Sequence, residues 1–478
     1  MKNLFIPTFI ILFANTVFGQ NISAEIAKNA GQTFLNAKLG QTQKNSSELQ
    51  LAYRSAEYYI FNAENEFIIV SATYNANPIL AYSTENRFDI ENIPPATQAI
   101  LNGYRQQIAY LTEMQIAVKE AHQQWDNLQN GKLPKVQKAN AVEPLLKNIA
   151  WGQGTQTNGM YNDFCPYDAV AGKRVPAGCN AVVMAMIMKY HNYPAKGTGS
   201  HCYEANYSVS GYGGDYGTLC ADFESADYQY NLMPNQLKNT NSKAEKSAVA
   251  QLIYHCGVAV NMMYGANVSL AYGNLPDAVI GQSDGVNTYI DVRTALQTYF
   301  GYAEGIAVIE KKDYTETEWI TAIKAELNKL QPINYGSNEH SYICDGYDEN
   351  DFFHLNFGWT GSCNGYFHTS NIVPTEDDWH SNQTNGQYAM INIKPKYPTG
   401  IFETKSANTF KLYPNPTTGQ LTIESEDLKM ETVDIYDITG KFIVNCQLSI
   451  VNSIDVSHLT NGMYFLRLNG AVMRFQKE

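Results

Sequence analysis

Residues 176–194 read PAGCNAVVMAMIMKYHNYP. Cys179 follows Pro-Ala-Gly and opens a run, Ala181 through Met188, that is apolar on nearly every helical face before a Tyr-His-Asn-Tyr-Pro stop. A helix with no polar face must pass through a core, so the pattern predicts a buried helix over 179–190. Two readings of Cys179 follow. Free cysteine is among the most buried residue types and packs as a small hydrophobe. At a helix N-terminus, however, unpaired backbone N–H groups lower a thiol pKa and favour the thiolate. Gly178 allows an unusual backbone angle and close approach of a substrate.

The rest of the chain bounds the choice. Its 478 residues are enough for two to four domains. Charged residues make up 17% and aromatics 12%, including 33 Tyr, a balance of folded rather than disordered protein. A formal net charge of −13 with no long basic run argues against a nucleic-acid partner. The opening MKNLFIPTFIILFANTVFGQ has one lysine, a short apolar stretch and small residues before Gly19. It reads as a signal peptide over 1–20, because the apolar run is too short to span a bilayer. The eight cysteines stand at 165, 179, 202, 220, 256, 344, 363 and 446, with no C-x-x-C and no Cys/His cluster at zinc spacing. Neither a metal nor a cofactor is expected. Export permits disulfides, but their pairing stays open.

Along the chain, YYIFNAENEFIIVSATYNANPILAYS (58–83) shows two strand-type runs about an Asn62–Asn65 turn and a third after Asn77-Pro78. Residues 96–128 carry one long helical pattern, and 130–144 (NGKLPKVQKANAVEP) form an exposed, cleavable linker. From Leu145 to about Tyr397, helical patterns at 179–190, 246–265 and 315–330 precede short aromatic strands INYG, HSYICDGYD, DFFHLNFGW and NGYFHTS. Helices first and strands later describe an α+β fold with segregated halves. Beyond about residue 401, short alternating strands recur between turn signals at Asn415-Pro416, Thr418-Gly419, Thr439-Gly440 and Asn461-Gly462. They predict a small β-sandwich.

A thiolate nucleophile needs a base that can also protonate the leaving group, and imidazole suits both tasks near neutral pH. Of nine histidines, His191 lies twelve residues along the same helix as Cys179, too far to reach it. His201, His255 and His380 have no telling context. His340 begins a strand after a polar loop in INYGSNEHSYICDGYD, where a side chain can point into a cleft. His354, in the next strand, reads as structural. Asn356, sixteen residues after His340, could accept a hydrogen bond from the imidazole, shielded by Phe357 and Trp359. Its other reading is a turn-forming Asn ahead of Gly358. Gln153, in a Trp-Gly-Gln-Gly turn 26 residues before Cys179, could join the Cys179 N–H in holding an oxyanion.

The order Gln153, Cys179, His340, Asn356 resembles that of papain-like cysteine peptidases. The surrounding strings resemble the streptopain family: Trp151-Gly152-Gln153, Tyr161-Asn162, Cys165-Pro166, Ala177-Gly178-Cys179, Met188 to Pro194, His340 with Asp345-Gly346, Phe353 to Asn356, Gly358-Trp359 and Gly365-Tyr366-Phe367. The segment 22–144 resembles that family's inhibitory prosegment through YYIFN, FIIVSA and NPILAYS. The resemblance implies a zymogen with Cys179 as nucleophile, His340 as base, Gln153 at the oxyanion hole and Asn356 as orienter. It places Gly178, Glu339, Phe357 and Trp359 in the cleft wall. Departures are Asn180 where the family usually has Val, Val182-Val183 for Thr-Ala, Asn338-Glu339 for Gly-Gly, and Phe357 for Trp.

The tail strings YPNPTTGQLTIE, VDIYDITGK, IDVSHLTNGMYFLRL and MRFQKE resemble the sorting domain read by the type IX secretion system. Together these resemblances imply a signal peptide (1–20), prosegment and linker (21–144), papain-like peptidase (145–397) and sorting domain (401–478). The expected partners are protein or peptide substrates, the chain's own prosegment and the type IX machinery, at the outer-membrane surface or beyond it. Two other functions stay open: a catalytically weak surface binding protein on the same fold, and a Cys–His amidase or acyl transferase.

Overall fold

A computed structural model of the chain describes residues 21–40, 47–132, 141–154, 160–206, 214–283, 287–337, 340–369, 386–396, 411–424, 432–437, 442–447, 453–468 and 471–478. The expected signal peptide, most of the 130–144 linker, Asn338, Glu339, His380 and the Thr439-Gly440 turn lie outside the described residues. The chain divides into two compact units, one built from residues 1–93, 97–138 and 365–378, the other from the remainder.

In the first unit, helix α1 (Ala24–Gly40) buries Ala27, Ala30, Gly31, Phe34, Leu35 and Leu39, the three- and four-residue spacing of an amphipathic stripe. Strands β1 (Gln50–Arg54), β2 (Tyr58–Asn62), β3 (Phe67–Ser71) and β4 (Ile79–Ser83) follow as an antiparallel meander. Every residue of β2, β3 and β4 is buried, so these are the three apolar runs read over 58–83. Strand β13 (Gly365–Phe367) pairs with β4, placing Tyr366 opposite Tyr82 with their rings stacked 5.0 Å apart. The single helix expected over 96–128 is two, α2 (Pro95–Glu113) and α3 (Lys119–Gln129). Gln115 lies between them at φ 53°, a left-handed angle that ends a right-handed helix. From α2 the buried Tyr104 hydroxyl reaches the carbonyls of Leu80 (3.0 Å) and His368 (2.7 Å), fastening β4 and β13 from one point.

The second unit begins with a short hairpin, β5 (Tyr167–Asp168) and β6 (Lys173–Arg174), and then α4 (Cys179–His191). A second hairpin, β7 (Ser200–Asn206) and β8 (Asp215–Asp222), is closed by a Cys202–Cys220 disulfide. Helices α5 (Lys243–Ala259), α6 (Val292–Phe300) and α7 (Glu316–Leu327) alternate with β9 (Ala307–Glu310). Three strands, β10 (Ile333–Gly336), β11 (Ser341–Tyr347) and β12 (Phe353–Asn356), precede β14 (Tyr388–Ile391). They form an antiparallel sheet in the order β12-β11-β10-β14-β9. Asn180 through Met188 of α4 are all buried. Their core includes Leu252, Ile253 and Cys256 of α5, Leu296 of α6, and Ile343 and Met390 of the sheet. A central helix among helices on one side and antiparallel strands on the other is the segregated α+β arrangement.

The α5 pattern read to residue 265 stops at Ala259. Asn261 takes φ 50°, its Oδ1 lies 2.6 Å from His201 Nε2, and its Nδ2 donates to the Thr288 carbonyl.

The tail has two sheets. One holds β15 (Lys411–Tyr413), β16 (Gln420–Glu424) and β19 (Ser453–Asp455). The other holds β17 (Thr432–Asp437), β18 (Phe442–Gln447), β20 (Gly462–Leu468) and β21 (Ala471–Lys477). Leu421, Ile423 and Ile454 of the first sheet share one core with Val433, Ile435, Leu466 and Phe475 of the second. That is the packing of a sandwich. No described helix is long and apolar enough to cross a membrane.

Candidate active site

Helix α4 starts abruptly. Gly178 precedes it at φ 87° and ψ 141°, and no side chain caps its first turn. A side chain at Gly178 would meet Met262, since a Cβ there would stand 2.5 Å from Met262 Cε. Only glycine fits the angle and the space together. Cys179 is therefore the first helical residue, half-buried. Burial pushes its thiol pKa above the ordinary value, while backbone N–H groups of Ser341, Asn180 and Cys179 itself pull it down. Burial prevails.

The Ser341 contact is informative because His340 immediately precedes Ser341. A tight turn holds His340: the Ser337 N–H donates to its carbonyl at 2.9 Å, and the His340 N–H returns to the Ser337 carbonyl at 3.3 Å. The start of β11 is thus set beside the start of α4. On the other side, the Ala177 N–H donates to the Gln153 carbonyl at 3.0 Å, tying the Trp-Gly-Gln-Gly turn two residues ahead of Cys179. Trp151 anchors that turn, fully buried, with Nε1 on the Pro234 carbonyl and its own carbonyl accepting from the Thr360 N–H.

The two residues expected to shield the site differ in depth: Phe357 is buried and Trp359 half-buried. Asn356 Nδ2 donates to the Ile149 carbonyl at 2.6 Å, and its Oδ1 accepts from the Gly358 N–H at 3.2 Å. The turn-forming reading of Asn356 is thus present in the hydrogen bonding. A backbone bond ties the Gln153 turn ahead of Cys179, and a side-chain bond from Ser341 to Asn180 sets the His340-Ser341 step beside the first turn of α4. Glu339 is outside the described residues.

Other candidates fall away on environment. Besides the Cys202–Cys220 pair, the cysteines whose side chains are described are Cys165, Cys179, Cys256, Cys344 and Cys363, and all but Cys179 are buried. Burial lifts Cys165 to about 12 and raises Cys256 and Cys344 as well. His191 bonds Tyr302, and burial depresses it to about 3; His255 bonds Tyr228 and is depressed to about 4 for the same reason. Both are neutral core residues. His354 Nδ1 lies 2.6 Å from the buried Asp345 carboxylate, whose other oxygen accepts the Leu146 N–H. That pair fastens the segment after the linker to β11, which is a structural task. Sequence reasoning did not single out Ser341 or Tyr388. Only Ser341 carried a local signal, its place beside His340. Among the described residues, no group of three or more His, Cys, Asp or Glu could hold a metal.

Residues 151–367 match the model of the Peptidase C10 family. That segment of the chain is similar to the family. Residues 19–108 match the Spi protease inhibitor family, and 411–477 match a secretion system C-terminal sorting domain. Streptopain of Streptococcus pyogenes is 26% identical over 411 residues, covering 80% of this chain and 94% of streptopain. The thiol protease/hemagglutinin PrtT of Porphyromonas gingivalis is 24% identical over 349 residues, 69% of this chain and 36% of PrtT. A prointerpain A fragment from Prevotella intermedia superposes with a TM-score of 0.56 at 25% identity, covering 73% of this chain and 99% of the fragment. Together these matches make the chain a cysteine-type endopeptidase, with an inhibitor-like segment before the peptidase-like region and a sorting domain after it.

Proposed function

We propose that Cys179 is the nucleophile of this peptidase and His340 its base, with Gln153 and the Cys179 N–H holding the oxyanion. The observation carrying this reading is the uncapped start of α4. No side chain caps that turn, and the backbone N–H groups of Ser341, Asn180 and Cys179 lower the sulfur's pKa against the effect of burial. The Cys179 thiolate attacks the peptide carbonyl carbon, and the C–N bond breaks as His340 gives its proton to the departing amine. Water, deprotonated by His340, then hydrolyses the thioester and regenerates the thiol. Asn356 serves as orienter in this scheme: its Oδ1 accepts one N–H from Gly358 and keeps a second lone pair for the imidazole.

The substrates are proteins or peptides. The chain is made as a zymogen, exported through its signal peptide and carried outward by the sorting domain, reaching the outer-membrane surface or beyond. Maturation cuts within 130–147. Val142 exchanges both backbone hydrogen bonds with Tyr347, and the Leu145 N–H donates to the Asp345 carbonyl, so those two residues are tied down and the cut is expected before Val142.

Incubation of the matured protein with casein and a thiol-directed epoxide tests the assignment. Wild type should digest casein and be blocked by the epoxide, whereas Cys179→Ala should do neither. Equal digestion by Cys179→Ala would remove Cys179 from the mechanism. Labelling of Cys179 without peptide cleavage would favour acyl transfer instead. N-terminal sequencing of the active form is expected to begin between residues 131 and 142, and a start inside 22–128 would contradict the maturation scheme.

A further inference from the structure

The residues immediately after Cys179 and His340 are themselves bonded to each other. Ser341 Oγ lies 2.6 Å from Asn180 Oδ1 and 2.8 Å from the Tyr388 hydroxyl. Asn180 Nδ2 donates to the Ala271 carbonyl at 2.9 Å, which fixes the amide orientation and leaves Oδ1 facing Ser341 as an acceptor only. Ser341 must therefore give its single hydroxyl proton to Asn180. It follows that Tyr388 donates to Ser341. Burial raises the Tyr388 pKa, which keeps that hydroxyl protonated. The hydrogen bonds run one way: Tyr388 O–H to Ser341 Oγ–H to Asn180 Oδ1, then Nδ2–H to Ala271. All three side chains are buried.

Strand register explains how Tyr388 reaches so far. Gly336 pairs with Tyr388 on β14 and with Ser341 on β11, so the three positions lie in one row across three strands. A Cβ at Gly336 would stand 2.7 Å from the Tyr388 ring and hydroxyl, and one at Gly273 would stand 2.1 Å from the hydroxyl oxygen. The tyrosine crosses the middle strand because glycine leaves the row open. One hydrogen-bonded chain thus joins β14, the first residue of β11, the first turn of α4 and the 271–273 loop.

We propose that Asn180, Ser341 and Tyr388 are positioning residues that set the separation between Cys179 and His340, a role that rests on reading those two as the reacting pair. Ser341 acts twice: its N–H is among the backbone groups that lower the Cys179 thiol pKa, and its hydroxyl fastens to Asn180 and Tyr388 the start of the strand that follows His340. When the hydroxyl chain is cut, β11 moves relative to α4. The nucleophile then loses a donor and its distance to the base changes together.

The test uses the matured enzyme, with kcat and KM on a fluorogenic peptide and the pH dependence of Cys179 alkylation by iodoacetamide. Ser341→Ala should lower kcat by about tenfold or more, as expected for a small misplacement of reacting groups, with KM within about twofold. Its alkylation midpoint should move to higher pH as the sulfur loses its donor. Tyr388→Phe, which removes one oxygen and keeps the ring, should lower kcat about three- to tenfold in the same sense. Ser341→Thr, which keeps the hydroxyl, should restore most of the rate. If Ser341→Ala and Tyr388→Phe lose thermal stability but keep wild-type kcat and alkylation profile, the chain only supports the fold and the proposal fails. A rise in KM at constant kcat would make it a substrate-binding feature and would equally overturn it. Failure of the underlying reading looks different: Cys179→Ala would retain activity, or wild-type Cys179 would resist alkylation at every pH.

Discussion

Helices α4 and α5 contribute to one core yet begin in opposite ways. Helix α5 opens with a reciprocal capping box: Ser242 Oγ accepts the Glu245 N–H, and the Glu245 carboxylate accepts the Ser242 N–H. Helix α7 repeats the device with Thr315 and Glu318. At α4 the cap position holds Gly178 in a left-handed conformation with no side-chain acceptor. Capping satisfies helix-end donors and adds stability. Leaving them uncapped costs stability and presents the same N–H groups to whatever stands at the first position, here a sulfur. On the proposed reading of Cys179 as nucleophile, the contrast separates the two capped helices, which begin for the fold, from one that begins for chemistry.

The strongest way to break this contrast is at the sulfur. Cys179→Ala should lower kcat/KM by about a thousandfold or more while leaving the urea midpoint near wild type, since a nucleophile contributes to rate rather than to packing. A large loss of stability with residual activity would make the start of α4 a structural one like those of α5 and α7.

The far end of the same helix gives the next largest effect. A histidine in a last turn is ordinarily favoured as a cation by the helix dipole, yet burial holds His191 to about 3. The unfolded chain binds that proton first, so the contribution of neutral His191 is present above about pH 6.5 and is lost as pH falls toward 3. The loss amounts to about 3 kcal/mol by pH 4. Urea denaturation at pH 7 and pH 4 should show it, and His191→Gln should flatten the slope.

Gly178→Ala comes third. It forces a side chain into a left-handed angle and against Met262, with an expected cost of about 1–3 kcal/mol in unfolding free energy. The accompanying fall in kcat is about a hundredfold, because the nucleophile shifts. Calorimetry and kinetics on one preparation would separate the two.

The smallest effects lie at the capped helices. Ser242→Ala and Thr315→Ala should each lower stability by about 1 kcal/mol with activity unchanged. A change in kcat there would blur the distinction between the two kinds of helix start.

How far this was legible in the sequence depended on whether the signal was local. Helix α4 was readable because Ala181 through Met188 has no polar face and Asn-Tyr-Pro ends it; the helix closes at Asn192 with φ 48°. Strands β2 to β4 were readable as apolar runs with turn residues between them. Helix α1 was missed because its six buried positions are interleaved with polar ones in AEIAKNAGQTFLNAKLG. The break at Gln115 was missed because the apolar spacing continues across it while the backbone does not. Gly178 announced an unusual angle, and the angle is there. Tyr388 could not have been found. Its partner Ser341 is 47 residues away, and the row they share through Gly336 exists only once the strands pair.

Strand β13 carries a consequence for solubility. In the precursor its edge is occupied by β4 and fastened through Tyr104. On the proposed maturation scheme, a cut before Val142 that released the segment supplying β4 would leave β13 with a row of backbone donors and acceptors that its precursor hid. Exposed edges recruit other chains when they are long, flat and apolar. This one is three residues long and starts with glycine, too short a template for another chain to lengthen into a fibre.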